Sequence, residues 1–499
     1  MADALTQLKE RLTRVTDLER VGRVLNWDQQ TMMPPAGWEH RADHLATLRR
    51  IQHETLIADE TGRLLDELRG REGSLDPESD DAALIRVARR DYEKAVRVPT
   101  DLRAEMVHAG AKARTIWVKA RSDSDFEQFR PALERNYELR QRYVECFDDV
   151  NEPYDILLDD YEPETSTAEV RETFAELKAE LIPLIAELRN DDIDDSFLRG
   201  NFPVEAQERL AKEVVALFGF RNKDTWRLDP TEHPFASGAG VDDIRITTNY
   251  DPETMKSFFS TMHEYGHGLY SHQLPRHLEH LPIGNACSLG IHESQSRLWE
   301  NLVGRSRPFW QLFYPRAQET FPEQLRNVEL DRFIGGINRV QPSLIRIKAD
   351  EVTYGMHVIL RFELEQEIIN GRVAIRDLPG AWNEKMNEYL GVEVPNDAQG
   401  VLQDTHWASG SIGYFATYLL GTVMSVQIWQ KLLDDIPDLE DQIERGEFTA
   451  LRDWLGEHVH RCGRKFSPQE TLRRATGATL DPKPYLAYLR EKYGARVAA

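Results

Sequence analysis

Apolar residues recur at helical spacing along most of this 499-residue chain. In "FAELKAELIPLIAELR", Phe174 to Arg189, they fall three and four apart and predict a helix. Further on, Met255, Phe258, Phe259, Met262, Gly266 and Leu269 make one apolar stripe. Its helix is expected to start with Asp251 as N-cap and Pro252 as first residue, and to end before Pro275. His263 and His267 border the stripe, with Glu264 further round toward the polar side. Another helix is expected in "NACSLGIHESQSRLWENLVGRS" from Asn285, where Leu298, Leu302 and Val303 keep the period. A long one is expected after Pro342, with Ile345, Ala349, Val352 and Met356 on one stripe and Arg346, Asp350, Thr353 and His357 on another. Strand-like alternation is scarce. In "DIRIT" it sends Ile244 and Ile246 to one side and Asp243, Arg245 and Thr247 to the other. That strand is expected either to pair with an extended peptide or to be an ordinary edge strand holding an Asp–Arg pair.

The pattern predicts a mainly α protein. No Gly/Ser- or Pro-rich linker and no fixed-period repeat divides the chain, so residues 1–499 are expected to form a single catalytic domain. Its parts are a helical N-terminal lobe over about 1–190, a core over about 230–420 and C-terminal helices over about 421–499, with acidic loops near Asp191–Asp195 and Asp435–Asp438. No apolar run approaches the roughly 18 residues of a membrane span, and "MADALTQLKERL" lacks a signal-peptide core.

His263-Glu264-x-x-His267 carries the first chemistry. With 15 histidines the pattern would arise by chance roughly 0.04 times in such a chain. On a helix the four-residue step turns about 40° and rises about 6 Å, which aims both imidazoles at one point. Zinc takes neutral imidazoles, with three protein ligands in catalytic sites, and acidifies bound water. A third ligand is expected from a later helix. Glu293 is the choice; Glu300, seven residues on and on nearly the same face, and Glu279 stay open, and the glutamate that does not bind metal can orient a ligand.

Three more stretches bear on substrate. Arg346 in "LIRIKAD" and Arg245 in "DIRIT" are candidates for gripping a terminal carboxylate through the guanidinium fork; an Arg346–Asp350 ion pair is the plainer reading of the first. In "QDTHWASGSIGYFATY", His406, Tyr414 and Tyr418 can donate to a developing oxyanion or line the substrate path, on a loop whose glycines and serines suggest movement. His233 is a weaker candidate; His272, His277 and His280 are expected in loops or at the surface.

These segments together resemble the thermostable carboxypeptidase, or carboxypeptidase Taq, family. The resemblance rests on "HEYGH", "GIHESQSRLWEN", "DDIRITTNY", "LIRIKAD" and "GVLQDTHW", with "NWDQQTMMPPAG" near the start, and covers about residues 26 to 418. It implies a large, two-lobed helical, zincin-like metallopeptidase with a small β-sheet beside the active-site helix and a central substrate cleft. It also implies that His263, His267 and Glu293 bind the metal, that Glu264 is the catalytic glutamate, and that the protein is a homodimer trimming C-terminal residues from peptides with a free C-terminus. One divalent ion per chain is expected, zinc first and cobalt second.

Composition narrows the partners. A formal charge of −23 argues against nucleic acid or an anionic membrane surface. Only 14 of the 62 basic residues are Lys, which fits either a salt-adapted surface or Arg-biased coding. Three dispersed cysteines suggest neither a disulfide framework nor a thiolate metal site and fit the cytoplasm. The expected activity is metallocarboxypeptidase, with Glu264 as general base. The alternatives are an endo-acting zinc oligopeptidase on the same core and a non-catalytic, metal-stabilised binding protein.

Overall fold

The computed structural model describes residues 3–148, 152–189 and 193–494. It is mainly helical with one small three-stranded sheet, as expected. The helix foreseen from Phe174 lies in Thr167–Leu188, where Ser166 and Glu169 form a reciprocal capping box, and it continues through Pro183. The acidic break at Asp435–Asp438 separates two helices, whereas Asp191 and Asp192 lie outside the described residues. Among the described residues no helix is long and apolar enough to cross a membrane.

The chain forms two compact units, each assembled from separated stretches. One comprises Met1–Val96, Asp194–Ile337 and Ile428–Thr479; the other comprises Arg97–Ile193, Asn338–Gln427 and Leu480–Ala499. This division differs from the lobes expected in chain order, because the helices before Val96 cluster with the segment that holds His263.

In the first unit, strands β1 (Trp226–Pro230), β2 (Ala236–Gly240) and β3 (Asp243–Thr248) form a sheet of order β1-β3-β2, with β3 parallel to β1 and antiparallel to β2. The "DIRIT" strand is therefore central. Neighbours occupy both of its hydrogen-bonding sides, which overturns the edge-strand expectation and leaves it no room for an added peptide. Ile244 and Ile246 are buried against the helix Lys256–Gln273, where a Cβ on Gly268 would stand 3.0 Å from the Ile244 methyl and 2.9 Å from that of Ile246.

That helix begins later than Asp251 and Pro252 suggested. Asp251 instead closes a turn, accepting from Glu253 N at 2.9 Å and from the Thr254 hydroxyl. The predicted apolar stripe is buried, but so are Glu264, Tyr265 and Tyr270. Tyr265 packs between Phe218, Phe220 and Trp299 and donates to Phe218 O at 2.7 Å. A helix covered on nearly every side is central rather than amphipathic, so its polar groups face a site rather than open solvent.

The next helix, Leu289–Arg297, is capped by Ser288 and runs into a π-helical turn, Leu298–Val303. It crosses Lys256–Gln273 at Gly266, where a Cβ would come within 2.4 Å of Gln295 O and 2.7 Å of Ser296 Cα. Glycine is required there to let the two backbones touch.

In the second unit the helix expected after Pro342 starts only at Tyr354 and runs to Ile369. Arg346 sits in a short 3₁₀ turn, and Asp350 spends its carboxylate on the N–H groups of Gln341, Val352 and Thr353. The Arg346–Asp350 pair therefore does not form, because Asp350 acts as a cap for the chain entering the helix.

Candidate metal centre

Two helices of the first unit bring the predicted ligands together. From Lys256–Gln273 come His263 and His267; from Leu289–Arg297 comes Glu293. Glu293 Oε2 stands 3.6 Å from His263 Nε2 and 3.5 Å from His267 Nε2, and one ligand atom from each of the three lies within 4.8 Å of the others. Donors bound at about 2.0–2.1 Å around a tetrahedral ion are separated by about 3.4 Å. The donor set and its spacing fit one such cation.

Each donor is aimed by a neighbour. His263 Nδ1 donates to Glu300 Oε2 at 2.9 Å, which turns Nε2 toward Glu293. Arg297 donates through Nε to Glu293 Oε1 at 2.8 Å and through Nη1 to Glu300 Oε2 at 3.2 Å, which turns Glu293 Oε2, itself accepting from the Ser296 hydroxyl at 3.1 Å, toward the histidines. The ring of His292 stacks on His267 at 4.4 Å between centroids, with 18° between planes. Sequence reasoning did not single out Arg297 or His292, although Arg297 falls four after Glu293 and three before Glu300, a helical spacing visible in the chain. Glu279 is not part of the group: it accepts from Arg20 and from Val241 N and braces the turn between β2 and β3.

The electrostatics suit a cation. Burial would raise the Glu293 carboxyl, but Arg297, His263 and His267 outweigh it and hold the group well below the usual range. Glu300 is likewise brought down to about 2 against burial, by Arg297 and His263. For His263, burial opposes the charged form, yet Glu293, Glu300 and Glu264 together raise its pKa. The same negative field that draws a proton to this imidazole draws a metal ion. Glu264 is only 5% exposed, and its Oε2 has no hydrogen-bond partner among the described residues. Burial raises its pKa, while His263 and His267 pull the other way. A buried carboxylate oxygen left without a donor, beside a ligand cluster, is poised to accept one from outside the chain.

Arg245 lies in the same unit but is already engaged. It donates to both Asp243 oxygens at 2.8 and 2.9 Å and covers the Trp27 ring at 4.3 Å.

The other predicted residues gather in the second unit. Arg346 is 6% exposed and donates through Nε and Nη2 to Asp404 Oδ1, with Nη1 on the Tyr354 hydroxyl at 3.3 Å. Its guanidinium covers the Tyr418 ring at 4.8 Å. His406 Nε2 and the Tyr418 hydroxyl are hydrogen-bonded at 3.1 Å, and the Tyr414 ring lies 5.1 Å from His406 and 5.2 Å from Tyr418. Burial, with help from Arg346, lowers the His406 pKa to about 3, so the ring is neutral at ordinary pH.

The loop carrying these groups is pinned, contrary to the movement expected of it. Asn136 donates to Trp407 O and Ala408 O, Arg140 to Gly410 O, and the buried Glu365 accepts from Tyr154, Trp407 Nε1 and Gly413 N. Glu365 also escaped sequence reasoning, because its partners lie 42 to 211 residues away. Of the remaining histidines, His233 is exposed, His272 hydrogen-bonds Val241 O from the helix Lys256–Gln273, and His277 and His280 pair with Asp80 and Asp17 at the surface.

Comparison with known proteins agrees with this constellation. The carboxypeptidase Taq (M32) metallopeptidase family matches residues 7–493. A thermostable carboxypeptidase 1 of Thermus thermophilus is 41% identical over 490 residues, covering 96% of each chain. Carboxypeptidase 1 of Bacillus subtilis is 36% identical over 485 residues, covering 97% of this chain and 96% of its own. The crystal structure of an M32 carboxypeptidase from Deinococcus radiodurans superposes with a TM-score of 0.96 at 37% identity, covering 99% of this chain and 100% of that one. The chain belongs to the carboxypeptidase Taq (M32) metallopeptidase family and is a metallocarboxypeptidase.

Proposed function

We propose that His263, His267 and Glu293 hold one divalent ion, zinc ahead of cobalt, and that Glu264 is the general base for hydrolysis of the last peptide bond of peptides with a free C-terminus. The observation that carries this reading is the triangle of ligand atoms beside the unpartnered Glu264 oxygen. When bound, the ion supplies Lewis acidity toward water and the scissile carbonyl. Glu264 takes a proton from water and passes it to the leaving amine. Glu300 and Arg297 hold His263 and Glu293 in their aims. Recognition of the substrate carboxylate falls to Arg346; Arg245, spent on Asp243 and Trp27, is the weaker candidate. His406, Tyr414 and Tyr418 offer donors to the oxyanion, and His406 Nδ1 is buried without a hydrogen-bond partner.

Two measurements test this. Mass spectrometry of products from paired free-acid and amidated peptides should show single-residue C-terminal losses from the free acids only; internal cleavage of the amides would favour the endo-acting reading. Glu264→Gln should keep its metal and lose at least about 10²-fold in turnover. Undiminished turnover by a metal-replete Glu264→Gln sample would remove Glu264 from the chemistry.

The same proposal includes a cytoplasmic homodimer. Three cysteines without disulfides fit a reducing compartment. Val21, Trp38 and Ile51 are large apolar side chains exposed on the first two helices, Ala4–Thr31 and Trp38–Ile57, with the exposed Met32 just past the end of the first, and no residue of the second is buried. A second copy is the occupant this face fits.

A further inference from the structure

Asp404 is shared between two guanidiniums. Its Oδ1 accepts from Arg346, at 2.8 Å from Nη2, and its Oδ2 from Arg361, at 2.7 Å from Nε. Arg361 comes from the helix Tyr354–Ile369, is fully buried, and donates through Nη1 to His357 O at 2.5 Å. Trp382 and Phe415 cover it at 4.5 and 5.4 Å. Two positive charges and one negative charge leave a net charge of +1 in a buried group, and buried charges are ordinarily matched.

Among the described residues no neighbour supplies a full compensating anion. His357 is buried, and burial, with Arg361 and Arg346, keeps it neutral. His406 is neutral as well. Glu365, one turn beyond Arg361, gives both oxygens to Tyr154, Trp407 and Gly413, and burial lifts its pKa to about 7 although Arg361 favours its ionised form, so it is only partly charged at neutral pH. Asp350 is spent on three backbone N–H groups. Both arginines stay charged, although burial and the like charge of Arg346 bring Arg361 down to about 10.

We infer that Arg361 is a specificity-determining residue: by neutralising Asp404 it leaves the charge of Arg346 uncompensated, so that a carboxylate on the substrate completes the balance and an amide does not. The inference rests on the reading that Arg346 receives the substrate carboxylate. Arg361 acts through Asp404 and is too enclosed to touch substrate itself. With a single arginine, Asp404 and Arg346 would form a neutral pair with nothing left to attract an anion.

The test compares kcat and KM on N-acetylated tripeptides, as free acids and as C-terminal amides, for the metal-loaded enzyme and for Arg346→Met, Arg361→Gln, Arg361→Lys and Asp404→Asn. Arg361→Gln should reduce the preference for free acid over amide at least about tenfold, mainly through KM, with the amide little changed. Arg361→Lys should retain most of the preference. Asp404→Asn, which removes the internal counter-charge at constant size, should increase it. Equal losses on both substrates in Arg361→Gln, or no difference between its Gln and Lys variants, would overturn the inference. If Arg361→Gln does not fold, Asp404→Asn decides: an unchanged or smaller preference refutes the charge balance. Arg346→Met separates the two levels, since equal losses on acid and amide there would defeat the carboxylate reading itself, whatever Arg361 does.

Discussion

Single residues at the candidate metal centre divide into proposed donors and the groups that aim them, and substitution should tell them apart. Glu293→Ala removes one of three donors, so tightly bound metal should be lost on dialysis. Glu300→Ala removes only the acceptor behind His263 Nδ1. Such outer partners typically contribute 10- to 100-fold in metal affinity, so the variant should still load metal at saturating concentration and release it that much more readily. Equal retention by both variants, measured by competition with a chelating dye, would mean Glu293 is not a ligand. The clustering of His263 and His267 was legible in the sequence because a four-residue helical step is a local property that survives errors in helix boundaries. Arg346 was legible as a residue but not as an environment. Its partner Asp404 is 58 positions away, while the nearby Asp350 that suggested a pair is consumed by backbone N–H groups.

At the scale of elements, the crossing of Lys256–Gln273 over Leu289–Arg297 sets the distance between the histidines and Glu293. Gly266 sits at the crossing with no space for a methyl. Gly266→Ala must push the second helix away, because the obstructing atoms are backbone and cannot rotate aside. The expected result is at least about tenfold weaker metal binding together with a lower melting temperature; a metal affinity unchanged from wild type would show that the crossing does not set the site. The glycine inside "HEYGH" is plain in the sequence, but its reason lies in another helix that periodicity cannot see. Glu365 offers a pH test of the pinned loop. Burial, opposed by its three donors and by Arg361, raises its pKa from the ordinary 4.5 to about 7. Its stabilising contribution is then complete below about pH 4.5 and is lost as pH rises through about 7. Glu365→Gln cannot titrate, so the wild type's advantage in melting temperature over this variant should narrow between pH 4.5 and 7.5. An advantage that widens instead would mean the three donors outweigh burial.

For the molecule as a whole, the helical class followed from hydrophobic spacing, while the grouping of segments did not, since each compact unit is built from three stretches separated by 52 to 144 residues. Chain order predicts neighbours only where connections are short, and here the helices before Val96 cluster with Asp194–Ile337. Those first helices also bear on assembly. Trp38, at the start of Trp38–Ile57, is 57% exposed, so replacing it costs the fold little, whereas a dimer formed over this face would bury it. Trp38→Glu therefore separates interface from core: it should leave the circular dichroism spectrum and melting temperature near wild type and shift sedimentation from dimer to monomer. The charge balance adds an independent expectation. Two copies carrying −23 each repel at long range, and salt screens that repulsion over about 30 Å at 0.01 M and about 8 Å at 0.15 M. Apolar contact between the helices is not weakened by screening. Dimerisation of the wild type should accordingly tighten as potassium chloride rises from 10 to 150 mM, the opposite of an interface held by ion pairs. If Trp38→Glu sediments as the wild type does at every salt concentration, this face is not where two chains meet.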